Sequence, residues 1–316
     1  MRDNKYMYEG QLIGKRENRD YIATQKGLEK ARQEGKILEG VVKMCDNSTL
    51  SMHIELGELE GIIEKEESVY GVPIKDIAII TRVGKAVAFK VLDFETDASG
   101  KTVAILSRRL AQKECMESYL MGLVPGDIIP AKITHIEPFG AFVDVGCGIA
   151  SLLSVDSVSV SRISSPLDRF YPRQELFVVV KSIDYETGRI YVSTKELLGT
   201  WEENASKFQV GQTVAGVVRS VEDYGIFVEL APNLAGLAES REGVSVGDSC
   251  SVYIKSIMPE KMKIKLVIID TNDKGKTTQG ELNYTVDPHK TTHIDYWKYS
   301  PDSCLRVIET VFEVQP

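Results

Sequence analysis

Short runs of strand-forming residues, broken by glycine or proline turns, recur along the chain. The clearest example is the stretch from Gly126 to Ser154, GDIIPAKITHIEPFGAFVDVGCGIASLLS. Glu137-Pro138-Phe139-Gly140 separates its two apolar runs, and Gly146-Cys147-Gly148 forces the next turn. The pattern predicts β-strands joined by tight turns. Phe139 and Phe142 flank a glycine at a bend, which places two rings near one face of a curved sheet, although a core position for Phe142 is the alternative.

The same pattern returns later in the chain. Tyr224-Gly225-Ile226-Phe227 repeats Phe139-Gly140-Ala141-Phe142 after 85 positions, from 139 to 224. Ile254-Lys255-Ser256-Ile257 repeats Val180-Lys181-Ser182-Ile183 after 74 positions, from 181 to 255. The difference of 11 predicts an insertion in the earlier module, near residues 154–173. A core phenylalanine explains one copy, but not an aromatic-Gly-x-Phe pair at the same place in two modules.

A third copy of the pattern precedes these two. Lys36-Ile37-Leu38-Glu39-Gly40-Val41-Val42 aligns with the opening strands of the other modules. Counting on from there places the two aromatic positions at Ser48 and Ser51, so the first module is predicted to lack the ring pair. The stretch from Glu55 to Glu67 holds six glutamates and one lysine, which would repel a phosphate backbone.

Two stretches, PFGAFVDVGCGIASLL and SIDYETGRIYVSTKELL, resemble the S1 RNA-binding domain family. The resemblance covers roughly residues 35–270 and implies an all-β chain of tandem OB-folds, that is, S1-type five-stranded barrels, joined by short connector helices. In that family two aromatic rings stack on bases, a histidine adds a contact, and an aspartate and an arginine bracket the last turn. The matching residues of the second module are Phe139, Phe142, Asp184 and Arg189, with Ser154 in place of the histidine.

The third module matches the family at fewer positions. Tyr224, Phe227 and Lys263 fall on it, whereas Glu239 takes the histidine position and Met258 lies where the aspartate is expected. Lys263 and Lys265 alternate with apolar residues in a predicted strand, so they point to one face, where they are either phosphate contacts or a plain polar strand face.

The predicted organisation has seven parts: a basic N-terminal arm and helix (1–34), a degenerate S1-like OB module (35–107), a linker helix (108–124), an S1 module (125–195), a linker helix (196–208), a further S1 module (209–270) and a C-terminal tail (271–316). The first part holds eight Lys or Arg against six Asp or Glu, and is either an RNA-contacting arm or a solvated lead-in helix. Trp201 lies at helical spacing, which favours core packing over base stacking.

The overall charge argues against a general nucleic-acid coat. Lys and Arg number 38 against 46 Asp and Glu, a formal net charge of −8. Binding to phosphates must therefore rely on local cations and be modest and salt-dependent. The candidate polar and charged contacts are Lys132, His135, Lys181, Asp184 and Arg189 in the second module, and Arg219, Lys255 and Lys263 in the third.

No residue pattern indicates catalysis, a metal or a cofactor. Neither a phosphate-cradling glycine loop nor a GxSxG nucleophile motif occurs. His289 and His293 are four apart, as zinc ligands on a helix can be, but no third ligand accompanies them. The five cysteines contain no CxxC, which favours reduced thiols and a cytoplasmic location. The sequence shows neither a secretory signal nor an apolar stretch long enough to cross a membrane.

Two functions fit these features. The resemblance implies a non-catalytic protein that binds single-stranded RNA such as mRNA in translation, with the ribosome or ribosomal proteins as possible partners. The alternative is a protein-interaction adaptor, which the acidic balance and the missing histidine in all three modules (Glu64, Ser154, Glu239) favour. Only the RNA hypothesis requires the rings of Phe139 and Tyr224 to be exposed.

Overall fold

The computed structural model describes residues 6–71, 76–97, 100–272 and 282–312. These residues form three closed barrels of five strands each, which confirms the all-β prediction of tandem OB-type barrels. The chain divides into two compact units. One comprises the described residues up to 123 together with 144–150, and the other comprises 124–143 and the described residues from 151 onward.

The first barrel has the strand order β1-β2-β3-β5-β4. Its strands are β1 (Leu38–Cys45), β2 (Met52–Glu55), β3 (Glu60–Ile63), β4 (Ala86–Thr96) and β5 (Thr102–Ser107). The helices around them are α1 (Arg16–Ile22), α2 (Gln25–Glu34), α3 (Asp76–Ile80) and α4 (Arg108–Ser118). Alternate strand residues face inward, so that Val42, Ile54, Ile63, Phe89 and Leu106 form the core.

The helix predicted within residues 1–34 is two helices, α1 and α2. The Oγ1 atom of Thr24 accepts a hydrogen bond from the Gly27 amide at 3.1 Å, so Thr24 caps a new helix instead of continuing the first. Leu28 and Ala31 are buried on its inner face.

The segment before α1 is held by a buried charge cluster in the first unit. Arg108, which is fully buried, donates through Nε to Glu9 at 2.6 Å, through Nη1 to the Ser68 carbonyl at 3.0 Å and through Nη2 to the Gly148 carbonyl at 3.2 Å. Arg82 donates to the other carboxylate oxygen of Glu9 at 3.2 Å. The arm predicted from composition is therefore docked at Glu9, while residues 1–5 lie outside the described part of the chain.

The second barrel has the order β10-β8-β7-β6-β9. Its strands are β6 (Ile128–Glu137), β7 (Gly140–Asp144), β8 (Ala150–Ser154), β9 (Glu175–Asp184) and β10 (Arg189–Ser193). The predicted insertion lies between β8 and β9 and contains two short 3-10 turns, Val155–Ser157 and Pro166–Asp168. We call residues 155–174 the insertion.

The third barrel has the order β11-β12-β13-β15-β14. Its strands are β11 (Thr213–Glu222), β12 (Gly225–Ala231), β13 (Leu234–Ala238), β14 (Ser249–Met258) and β15 (Lys263–Asn272). The short helix α5 (Trp201–Ala205) precedes it. Trp201 is only 2% exposed and packs in the core of this barrel, as its helical spacing predicts.

The C-terminal segment contacts both barrels of the second unit. Its strands β16 (Tyr296–Lys298) and β17 (Glu309–Val311) pair with each other. The Tyr299 hydroxyl donates to the Asn233 carbonyl at 2.6 Å in the third barrel, and the Ile128 amide of the second barrel donates to the Thr292 carbonyl at 2.9 Å. Residues 273–281 and 313–316 of the predicted tail lie outside the described residues, and the module boundaries stay predictions.

Candidate nucleic-acid interface

The ring pair has the same geometry in the second and third barrels. Phe139 and Phe142 lie 6.2 Å apart between ring centroids, and Tyr224 and Phe227 lie 6.1 Å apart, both at an interplanar angle of 87°. Phe139 is 56% exposed and Tyr224 is 70% exposed, whereas the second ring of each pair is half-buried. The exposure that the RNA hypothesis requires is present twice.

The glycine between the rings is required by a close approach to the next strand. A Cβ atom at Gly140 would lie 2.7 Å from the carbonyl oxygen of Leu153, and one at Gly225 would lie 2.6 Å from that of Ala238. Any other residue would push the turn away from the barrel. The glycine thus sets the position of the preceding ring at the barrel edge.

A row of outward-facing residues begins at Phe227, the second ring of the pair, and crosses the strands of the third barrel. Strand register places Phe227 opposite Leu237, Leu237 opposite Lys265, and Lys265 opposite Ser256. Lys263 and Lys265 are exposed and alternate with the buried Ile264 and Leu266, so both lysines face outward as predicted.

The same row in the second barrel carries a third aromatic ring. Tyr191 pairs with Leu152 on one side and with Ser182 on the other. These three residues line a recess of about 290 Å³ together with Ser154, which occupies the family's histidine position. Sequence reasoning missed Tyr191, although its alternation with Ile190 and Val192 was a readable signal for an outward-facing position.

β-Bulges turn a lysine outward in each of these two barrels. The register shifts between Tyr191 and Val192, where the partners are Ser182 and Val180, so Lys181 is the extra residue. The corresponding shift in the third barrel leaves Lys255 as the extra residue. Bulges redirect side chains in this way, and both lysines are exposed. Lys181 lies beside the recess, with its Nζ atom 3.3 Å from Ser157 Oγ.

Asp184 and Arg189 pair across the ends of β9 and β10, and Met258 and Lys263 pair in the same way in the third barrel. The Asp184 carboxylate accepts hydrogen bonds from the Thr187 hydroxyl at 2.5 Å and from the amides of Glu186 and Thr187. These hydrogen bonds lower the pKa of Asp184, and the bond from the Thr187 hydroxyl has the largest effect. Asp184 therefore orders the turn, and Arg189 is the exposed cation at this end of the face.

His135 and Lys132 lie on β6. His135 is exposed, stacks on Phe142 with ring centroids 6.5 Å apart, and contacts Glu137 through Nε2 at 2.6 Å. Lys132 is half-buried and lies opposite Glu175 in the strand register. His135 thus extends the aromatic surface, whereas Lys132 lies farther back along the strand.

Arg219 is not available as an RNA contact, which corrects the prediction. Its side chain is 9% exposed and binds both oxygens of Glu229, through Nε at 3.0 Å and through Nη2 at 3.2 Å. Asp168 and Arg169 of the insertion complete the network by pairing with Arg219 and Glu229, respectively. The insertion covers this part of the third barrel, and sequence alone did not reveal that the arginine lies beneath it.

The first barrel has no ring pair, but the predicted positions Ser48 and Ser51 are wrong. Strand pairing places Met44 opposite His53, as it places Ser220 opposite Phe227. His53 therefore occupies the position of the second ring. The first ring lies three residues earlier, as Tyr224 does before Phe227, which places Leu50 at that position. The turn between β1 and β2 is longer than in the other barrels, so counting along the sequence fell short.

No group of three or more His, Cys, Asp or Glu side chains suited to a metal ion occurs among the described residues. His293 contacts Asp127 at 2.8 Å and Asp295 at 3.2 Å. Within the same part of the chain, no helix is long and apolar enough to cross a membrane.

Parts of this chain are similar in sequence to known proteins. Residues 124–195 match the family model described as S1 RNA binding domain. The chain is 28% identical over 224 residues to the small ribosomal subunit protein bS1 homolog of Bacillus subtilis, covering 68% of this chain and 56% of that protein. It is 32% identical over 164 residues to the small ribosomal subunit protein bS1 of Staphylococcus aureus strain COL, covering 50% and 41%. The chain thus spans about half the length of these relatives.

Among solved structures, a multidomain protein with nucleic acid binding domains from Streptococcus pneumoniae TIGR4 is similar at 15% identity. The match covers 74% of this chain and 73% of that one, with a TM-score of 0.24.

Proposed function

We propose that this chain, whose second barrel belongs to the S1 RNA-binding domain family, is a non-catalytic protein that binds single-stranded RNA. One observation carries the proposal: two barrels present the same exposed ring pair next to outward-facing cations. An exposed aromatic ring is unfavourable in water, and its repetition in the same geometry calls for a flat ligand that covers it.

The contacts divide into stacking and charge. Phe139, Phe142, Tyr224 and Phe227 stack on bases, each worth about 1–3 kcal/mol, and His135 and Tyr191 extend the aromatic surface of the second barrel. The phosphate contacts are Lys181 and Arg189 in the second barrel, and Lys255, Lys263 and Lys265 in the third. Every base offers a face for stacking, so binding tolerates many sequences.

The relatives support a wider role. Proteins named small ribosomal subunit protein bS1 resemble this chain, so we propose that it acts in translation, with mRNA as its RNA and the ribosome or ribosomal proteins as partners. All five cysteines are free thiols, which supports a cytoplasmic location. We also propose that the chain is organised in the seven predicted segments, from the N-terminal arm to the C-terminal tail.

A fluorescence-anisotropy titration with a labelled single-stranded RNA of about 15 nucleotides tests the proposal, with wild type beside the double variant Phe139→Ala/Tyr224→Ala. Both rings are more than half exposed, so the variant is expected to fold. Losing two stacking contacts lowers the affinity about 30-fold or more. Raising the salt concentration weakens wild-type binding through the phosphate contacts.

The matched control is Met44→Ala/His53→Ala, which truncates outward-facing residues of the first barrel. It should leave RNA affinity unchanged. Absence of RNA binding at tens of micromolar, or equal binding by wild type and the ring variant, would overturn the proposal and direct attention to protein partners.

A further inference from the structure

The insertion of the second barrel lines an open cavity that the ring pairs do not use. Its volume is about 430 Å³, and residues of the insertion, Lys195 and Ile308 line it. The 3-10 turn Val155–Ser157 separates it from the recess beside Tyr191, because Val155 lines the cavity and Ser157 lines the recess. The volume lies within the range of small-molecule sites.

Two cations line the cavity without a partner of their own. Arg162 is exposed and Lys195 is half-buried, and within the described residues neither side chain forms an ion pair or a hydrogen bond. One carboxylate, Asp156, also lines the cavity. The lining side chains thus carry a net positive charge of one, in a chain whose net charge is −8.

A buried hydroxyl at the same place lacks a hydrogen-bond partner. Ser161 is 7% exposed and lines the cavity, and within the described part of the chain its Oγ atom has no partner. Buried hydroxyl groups are nearly always hydrogen-bonded. Because this Oγ atom is itself closed off from solvent, a ligand in the cavity reaches it only after the Ser161 side chain rotates. The two unpaired cations beside it favour a ligand with negative charge.

The backbone around the cavity is fixed before any ligand arrives. The Ser161 amide donates to the Pro232 carbonyl at 3.3 Å, and the Val160 amide donates to Asn233 Oδ1 at 2.9 Å. On the other side, the Thr194 hydroxyl donates to the Val158 carbonyl at 2.7 Å. A pre-formed site loses little ordering entropy on binding.

We infer that this cavity binds a phosphate group, with Arg162 and Lys195 neutralising its charge and Ser161 donating a hydrogen bond. Val160, Ile163 and Ile308 supply an apolar wall for the remainder of a nucleotide. The phosphate belongs either to a free nucleotide or to the end of an RNA strand. None of the stacking rings lines this cavity, so the inference can be tested separately from the proposed RNA-binding function.

Isothermal titration calorimetry of the full chain with inorganic phosphate and with adenosine 5′-monophosphate tests the inference. Arg162→Ala/Lys195→Ala should weaken binding about tenfold or more for each cation removed, because charge-assisted hydrogen bonds are lost. Ser161→Ala should weaken it a few-fold. The control Lys290→Ala/Arg306→Ala removes the same charge from two exposed residues outside the cavity and should leave binding unchanged.

The source of the phosphate is found with two RNA oligomers that differ only in a 5′-phosphate or a 5′-hydroxyl. An RNA end is indicated if the phosphate tightens binding to wild type but not to Arg162→Ala/Lys195→Ala. A free nucleotide is indicated if adenosine 5′-monophosphate binds and the RNA end makes no difference. The Phe139→Ala/Tyr224→Ala variant should bind adenosine 5′-monophosphate as wild type does.

Two outcomes would overturn the inference. One is that neither phosphate, the mononucleotide nor the 5′-phosphate of RNA contributes to binding at millimolar concentration. The other is that the cavity variant binds them as tightly as wild type while its tryptophan fluorescence still reports a folded third barrel. An unchanged affinity in Ser161→Ala would contradict the assigned role of that hydroxyl.

Discussion

The first barrel and the other two share a strand framework but present different surfaces. Where the second and third barrels place Tyr191 and Lys265 in the outward row, the first places Ile105, which lies between Ile62 and Asp93. The whole row of the first barrel reads Met44, His53, Ile62, Ile105 and Asp93. It is mostly apolar and contains neither lysine nor arginine.

At the bulge and at the strand end, too, the first barrel lacks the cation that the later barrels present. The bulge that exposes Lys181 and Lys255 carries Leu92 in the first barrel. Arg189 pairs with Asp184 at the strand end of the second barrel, whereas Val103 pairs with Glu95 at the same place in the first. Each position that offers a cation or a ring in the later barrels is apolar or acidic in the first, apart from His53.

Carboxylates reinforce the difference. Glu55 lies directly opposite Glu60, which is itself opposite Val103 in the parallel pairing of β3 and β5. Like charges in this arrangement repel each other and would repel phosphates. The comparison teaches that the barrel framework does not decide the ligand. The residues at the turn, the bulge and the outward row do.

One matched position also shows how the insertion changes the role of a residue. Glu229 and Glu55 occupy the same place, since Val217 pairs with Glu229 as Val41 pairs with Glu55. Glu55 is exposed, whereas Glu229 is 7% exposed beneath the insertion.

The largest expected effect comes from this pair of positions. Glu229→Gln leaves the buried guanidinium groups of Arg169 and Arg219 without their shared carboxylate. We expect the free energy of unfolding of the third barrel to fall by about 3–5 kcal/mol. Glu55→Gln should change the stability of the first barrel by less than about 0.5 kcal/mol, because that residue is exposed.

Urea unfolding followed by tryptophan fluorescence measures the first of these effects. The chain has two tryptophans, Trp201 and Trp297, and both are buried in the core of the third barrel, so the signal reports that barrel. Equal stability of Glu229→Gln and wild type would show that the ion-pair network does not hold the insertion in place.

The next effect is a pH dependence that Glu39 gives to the first barrel. Glu39 is 1% exposed beneath the N-terminal segment, whereas the matched Ala215 of the third barrel carries no charge. Burial raises the pKa of Glu39 from 4.5 to about 7, although amide donors such as Leu12 act against it. The folded state therefore favours the protonated form. This stabilisation is complete below pH 4.5 and is lost as the pH rises through about 7.

Glu39→Gln should remove this dependence. Relative to wild type, the variant gains about 3 kcal/mol of stability between pH 4.5 and pH 8. Calorimetry measures this change in stability in the unfolding transition of the first barrel, which tryptophan fluorescence does not report. Asp144 also has a raised pKa of about 7 in the same unit and is present in both proteins, so the difference between them isolates Glu39. A constant difference across this pH range would contradict the prediction.

The smallest effects come from converting the later barrels toward the first. Tyr191→Ile removes one stacking ring and should weaken RNA binding by about 1–3 kcal/mol without changing the salt dependence. Lys265→Ile removes one phosphate contact and should reduce the slope of log affinity against log salt by about 0.7. Anisotropy titrations across a salt series distinguish the two. The slope should stay unchanged in Ile105→Lys, because the acidic neighbours of that residue in the first barrel remain.

The local patterns of the sequence determined much of this protein. Alternating apolar residues indicated β-strands, because each barrel has a core that only one strand face can reach. The count of five strands in each barrel came from the resemblance to the S1 family. The repeated aromatic-Gly-x-Phe motif located both exposed ring pairs, because the glycine and the rings lie within four consecutive residues. The alternation of Lys263 and Lys265 with apolar neighbours likewise placed both lysines on the outer face.

Only the tertiary structure decided features that depend on distant segments. Arg219 and Glu229 are covered by an insertion some 50 residues away in sequence, so no local pattern marks them as buried. Leu50 and His53 emerged from strand pairing, because the longer first turn defeats counting along the chain. The cavity with Ser161 forms where the insertion meets Lys195 and Ile308, which become neighbours only when the chain folds.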